Sequence, residues 1–193
     1  MTRAATLALW LLAALVAGCD SSPRSSYQLT DVTGAEFGRD FQLTDHTGKP
    51  RTLADFKGKV VAIFFGFAHC PEVCPTALGE LASVANELGK DAVRMQVLLI
   101  TVDPERDTPA VLSQYMAAFH PDFLGLYGDA EATTRTAKEF KVFFQKQPLP
   151  DGGYTVDHSA GTYIYDTAGR LRLFAGYGQG APKMLHDIRL LLQ

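Results

Sequence analysis

Cysteine is scarce in this chain, with 3 in 193 residues, at positions 19, 70 and 74. A disulfide-stapled scaffold is therefore excluded, and at most one bridge can form. No block of basic residues appears, and the formal net charge is -3, which argues against a nucleic-acid partner. Internal repeats are absent, so a solenoid or propeller is excluded. The apolar, uncharged region over residues 4–15 is too short to span a bilayer. What remains is 47% hydrophobic and 20% charged, an ordinary globular composition with length enough for one domain and a good core.

The N-terminus reads as a targeting segment. Arg3 supplies a minimal positive start, residues 4–15 an uncharged apolar core, and Val16-Ala17-Gly18-Cys19 a small-residue cleavage site. That tetrad resembles a bacterial lipobox, in which cleavage precedes the cysteine and lipid is attached to its sulfur. A plain secretory signal would leave Cys19 as a stray exported thiol, a liability that the lipobox removes. Acyl chains on Cys19 would hold the protein on a membrane surface, and Asp20 resembles a signal for retention in the bacterial inner membrane, with the domain facing the periplasm. The expected division is a signal over 1–18, a lipidated Ser-rich flexible tether over 19–30, and a folded domain over 31–193.

Residues 41–45 alternate apolar and polar, His46-Thr47-Gly48-Lys49 turns, and residues 50–53 return, which predicts a β-hairpin. Residues 60–67 are nearly all apolar and rich in β-branched and aromatic side chains, the pattern of a strand covered on both faces. Leu78, Leu81, Val84, Ala85 and Leu88 have helical spacing up to Gly89. Residues 97–102 form a second buried strand. Thr108 and Pro109 are a helix cap and first position, and Asp129 caps a third helix through residue 140. Residues 123–127 read as a short strand, 142–144 as extended, and 148–153 as a loop. A polar loop over 154–160 leads into a strand pair, 161–165 and 171–175, about a turn at 166–170. A last amphipathic helix covers 181–192. Alternating β and α predicts a parallel sheet flanked by helices, with antiparallel strands added, and an active site where the first parallel strand meets a helix N-terminus.

The chemistry sits in Gly66-Phe67-Ala68-His69-Cys70-Pro71-Glu72-Val73-Cys74-Pro75-Thr76. On a helix, residues four apart lie about 6 Å apart along one face, within the span a disulfide accepts. Helix-start N–H groups favour thiolate over thiol. Three readings are open: a structural bridge, a redox dithiol, or a soft-metal clamp. A bridge closing so short a loop constrains the unfolded chain little, whereas two thiolates suit Cu(I). Two sulfurs do not complete a metal shell, and none of His46, His69, His120, His158 or His186 is singled out by spacing. His158 differs in lying in a polar loop before a strand, where Asp157 or a carbonyl can orient its ring.

The cysteine block, Val102-Asp103-Pro104-Glu105-Arg106-Asp107-Thr108-Pro109 and Asp157-His158-Ser159 together resemble the Sco/SenC family, in the family's order and across most of residues 37–193. The resemblance implies a thioredoxin-like fold and copper ligands Cys70, Cys74 and His158. It further implies a metallochaperone serving the copper-bearing subunit of cytochrome c oxidase, or exchanging with another copper chaperone. Glu72 replaces the family's usual aspartate and keeps its charge. Asp103, Glu105, Arg106 and Asp107 are expected as a docking face, or else as capping and surface ion pairs. The rival expectation is a thiol–disulfide oxidoreductase in which Cys70 attacks and Cys74 resolves. The Thr-x-Pro signature expected of thioredoxin is missing, which favours metal. A peroxidase of the same fold is disfavoured as a third reading, because no Pro-x-x-x-Thr-x-x-Cys precedes Cys70.

Overall fold

The computed structural model describes residues 27–150 and 152–193. The signal, the lipobox with Cys19, and the tether up to residue 26 lie outside the described residues. The elements run β1 (Thr30–Asp31), β2 (Leu43–Asp45), β3 (Pro50–Arg51), β4 (Val60–Gly66), α1 (Val73–Leu88), β5 (Met95–Thr101), α2 (Pro109–Ala117), β6 (Leu124–Tyr127), α3 (Ala130–Glu139), β7 (Phe144–Pro148), β8 (Tyr154–His158), β9 (Gly161–Tyr165), β10 (Leu171–Gly176) and α4 (Ala181–Leu191). Among the described residues no helix is long and apolar enough to cross a membrane.

Eight strands form one mixed sheet in the order β1-β10-β9-β4-β5-β6-β2-β3. Strands β4, β5 and β6 are parallel, and the flanking strands are antiparallel. Every residue of β4 and β5 is buried, because their continuous apolar runs are covered on both faces. Helix α1 crosses from β4 to the parallel β5 and packs against α4. Helix α2 lies so close over β6 that a Cβ on Gly125 would stand 2.9 Å from the Leu112 Cβ. The arrangement is the thioredoxin-like α/β class, a central mixed sheet flanked by helices. Both expected caps form: Thr108 Oγ1 accepts from Val111 N (3.3 Å), and Asp129 Oδ1 from Ala132 N (2.7 Å).

Two expectations need correction. The polar loop expected over 154–160 is mostly strand: β8 pairs antiparallel with β7 in a separate two-stranded hairpin. Its period-2 pattern rests on one buried residue, Val156, between polar neighbours, so composition concealed it. Residues 28–30, expected outside the folded domain, are instead held to it. Backbone N–H groups of Gln28 and Leu29 donate to the buried carboxylate of Asp187 on α4 (2.8–3.0 Å), and β1 then joins the edge of the sheet. A two-residue strand held by a distant carboxylate leaves no local signal.

The expected N-terminal hairpin forms, with Asp45 at its centre. The buried carboxylate accepts from Thr47 N and Oγ1, Lys49 N and Arg51 Nε. Burial alone would raise its pKa, but the Thr47 and Arg51 donors outweigh it and hold the group at about 2. The folded value lies below the unfolded one, so the stabilisation is full above the unfolded value of 3.8 and is lost as pH falls toward 2. Asp45→Asn is expected to cost about 2 kcal/mol at pH 7, or roughly 4–8 °C in Tm. The gap between variant and parent should narrow in melts at pH 3.

Candidate metal centre

Strand β4 ends at Gly66, where its carbonyl accepts from Val102 N (2.9 Å), and the chain turns through residues 67–72 into α1. The turn is pinned from beneath. Asp107, 1% exposed, accepts from Ala68 N (3.1 and 3.2 Å) and from Thr101 Oγ1 (2.6 Å). Cys70 therefore lies in the turn, since α1 begins only at Val73. The expectation of both sulfurs on one helix face is thus corrected. What joins them is a backbone N–H at the helix start: Cys74 N donates to Cys70 Sγ (3.4 Å). Both are free thiols. Cys70 is half-buried and Cys74 fully buried.

Glycine at 66 makes room for the deeper sulfur. A Cβ there would stand 2.8 Å from Cys74 Sγ. A glycine interrupting a buried apolar strand is a signal of close approach, and it would have marked this contact in the sequence.

Strand β8 brings His158 to the same place. Its Nε2 is 3.5 Å from Cys74 Sγ, and its Nδ1 is 3.0 Å from the Ser159 carbonyl. With a metal bound, a proton on Nδ1 would satisfy that carbonyl and leave the Nε2 lone pair for the ion. The ring stands edge-on to Phe64 (6.1 Å) and Phe67 (5.9 Å), which fix its plane. The donor atoms of Cys70, Cys74 and His158 all lie within 4.8 Å of one another. Two sulfurs and an imidazole are the donor set of a soft-to-borderline metal.

The two thiols are electrostatically unlike. A hydrogen bond from Cys74 does most to pull Cys70 down, burial opposes it, and His158 and the Cys74 and Glu72 N–H groups add to the fall, to about 4. Cys74 is pushed up, chiefly by serving as donor to Cys70 and then by burial. The metal-free pair thus holds one proton between its sulfurs from mildly acidic pH upward. Iodoacetamide should modify Cys70 at pH 6 and spare Cys74, with a rate nearly flat from pH 6 to 8. An ordinary thiol would rise about tenfold per unit. Mass spectrometry of the labelled peptide reads both.

The other expected residues are distributed as follows. Asp157 is exposed, because β8 alternates and turns it away from Val156; the Ser159 carbonyl holds the His158 ring instead. Asp103 and Asp107 are buried and turned inward, so they support the turn and offer no exposed docking charge; Glu105 is exposed and Arg106 half-buried. His69 points outward, 3.8 Å from Asp107. His46 is not free in solvent, since its Nδ1 accepts from Gly125 N (3.1 Å). His120 stacks on Phe123, and His186 pairs with Asp187. Tyr154, which the sequence did not single out, stacks on Arg106.

A family model described as SCO1/SenC matches residues 30–193. "Protein SCO2 homolog, mitochondrial" of Mus musculus is 39% identical over 153 residues, 78% of this chain and 60% of that protein. "SCO2-like protein" of Rickettsia felis is 37% identical over 155 residues, 79% of this chain and 75% of that protein. The chain spans about half to three-fifths of the length of its mitochondrial relatives. Among solved structures, Bradyrhizobium japonicum ScoI with copper bound superposes with a TM-score of 0.75 at 40% identity, covering 82% of this chain and 100% of that one.

Proposed function

The chain belongs to the SCO1/SenC family, and on that premise we propose that it binds one copper ion as cargo through Cys70, Cys74 and His158. It passes the ion to the copper-bearing subunit of cytochrome c oxidase. Lipid on Cys19 anchors it to the inner membrane, and the Ser-rich tether lets the domain reach a recipient in the periplasm. One observation carries this reading: the three donor atoms lie within 4.8 Å of one another. The copper held by the B. japonicum relative supports it.

The roles follow from exposure. Cys74 is the buried donor, packed against Gly66. Cys70 and His158 are half-buried, so an incoming thiolate or imidazole reaches the ion from their side. Copper then passes by ligand exchange, with Cys74 the last donor to release it, and no naked ion is formed. The imidazole adds a ligand that suits Cu(II) as well as Cu(I).

The unequal thiols support a second reading. A Cys70 thiolate beside a Cys74 thiol is suited to attack a recipient's disulfide. It would form a mixed disulfide and release one recipient sulfur as thiolate. Cys74, losing its proton to that thiolate, would then close the Cys70–Cys74 bridge and free the recipient fully reduced.

The test mixes copper-loaded protein with the soluble copper-bearing domain of an oxidase subunit, reduced or oxidised. Copper appearing on the reduced recipient in stoichiometric amount is the expected result. Failure to move copper, together with equal reduction of the oxidised recipient with or without metal, would replace delivery by thiol exchange.

A further inference from the structure

The β7–β8 hairpin that carries His158 is not part of the main sheet. Something other than a ladder must fix it to the rest of the molecule. The turn after β5 does so, through contacts to both strands. From β8, the Tyr154 hydroxyl donates to Asp103 Oδ1 (2.8 Å), and the Tyr154 carbonyl accepts from Arg106 Nη1 (2.8 Å). Arg106 Nε in turn pairs with Asp103 Oδ2. From β7, Lys146 Nζ pairs with Glu105 (2.6 Å) and lies 4.5 Å from the Tyr154 ring centre.

Arg106 is the centre of this contact. Its guanidinium carbon stands 3.9 Å from the Tyr154 ring centre and 5.7 Å from that of Phe67. Phe67 is one of the two rings that meet the His158 imidazole edge-on. Arg106 therefore reaches His158 by two routes: through Phe67, and through Tyr154 four residues earlier on the same strand. The fit is close enough that Arg106 Nη2 is buried without a partner among the described residues. A buried donor left unpaired is costly, so the planar fork is held there by the stacking and by its other two bonds.

We propose that Arg106, clasped to Tyr154, is a positioning residue that holds the hairpin closed and keeps His158 Nε2 at the sulfurs. The inference rests on the copper reading of the site. Two thiolates retain Cu(I) without the imidazole, whereas Cu(II) depends on it more, so the clasp sets the balance between the oxidation states held. A lysine cannot substitute, because it lacks the planar fork that stacks and bonds together.

The test compares Arg106→Met, Arg106→Lys and Tyr154→Leu with the parent full chain. In metal-free protein, amide hydrogen exchange at residues 155–158 should quicken at least about tenfold while α1 is unchanged. Cu(II) affinity should fall about 10–100-fold and Cu(I) affinity less than about threefold, with the Cu(II)–thiolate absorption altered. Arg106→Lys should match Arg106→Met, and Tyr154→Leu opens the contact from the other side. Unchanged hairpin exchange overturns the clasp. Faster exchange with an unchanged Cu(II)/Cu(I) ratio overturns the positioning role, as does full rescue by lysine. The exchange result is readable even if the parent binds no copper, which would instead count against the copper reading.

Discussion

Cys74→Ala should abolish useful copper retention, with both oxidation states weakened by more than about 100-fold, the upper end of what losing even an indirect partner costs. Cys74 is the donor with no exposure and with its sulfur seated over Gly66, so no water or neighbouring side chain can replace it. The same substitution removes the largest cause of the low Cys70 pKa. Cys70 should therefore return toward ordinary thiol behaviour, and its alkylation at pH 6 should slow. The fold should survive, because exchanging a thiol for a hydrogen in the core costs about 1 kcal/mol, or roughly 2–4 °C in Tm. Competition titration, labelling and a thermal melt on one preparation separate loss of the ligand from loss of the fold. A cooperative melt with wild-type copper affinity would remove Cys74 from the site.

His158→Ala should divide the two oxidation states. The imidazole is the only donor of the three that suits Cu(II) well, so Cu(II) affinity should drop by about 100-fold or more. Cu(I) stays on the thiolate pair with a much smaller loss. Cys70 also loses a hydrogen bond that lowers its pKa, so its thiolate fraction near pH 4–5 should decrease, which the same labelling detects. The ring sits at the surface end of Phe64 and Phe67 without being buried, so the melt should change little. Equal affinity of parent and variant for both ions would mean that the 3.5 Å approach to Cys74 does not matter for binding.

The sequence revealed some parts of this molecule and concealed others, for physical reasons. Strands β4 and β5 were legible because burial on both faces demands unbroken apolar runs, and α2 because Thr108 and Pro109 make a local cap. The cysteine pair was legible because its turn follows directly from β4. Strand β8 was not. It is a polar strand whose partner β7 is equally polar, and its one inward residue, Val156, gives no period. The place of His158 beside the sulfurs depends on a contact 84 residues away in sequence, which only the family resemblance suggested. Charges at 103–107 looked like a surface, yet Asp103 and Asp107 point inward because the turn they cap supports the site. Tyr154 matters through the Arg106 and Asp103 side chains that lie against it, which local patterning does not encode, whereas Gly66 carried a local signal as a glycine ending a buried apolar run.

X-ray absorption at the copper edge of the reduced, copper-loaded protein tests the central claim most directly. One bound copper per chain with two sulfur neighbours and one imidazole nitrogen is the predicted shell, and the imidazole signal should vanish in His158→Ala. A shell with fewer than two sulfurs, or one unaltered by His158→Ala, would contradict the three-donor site.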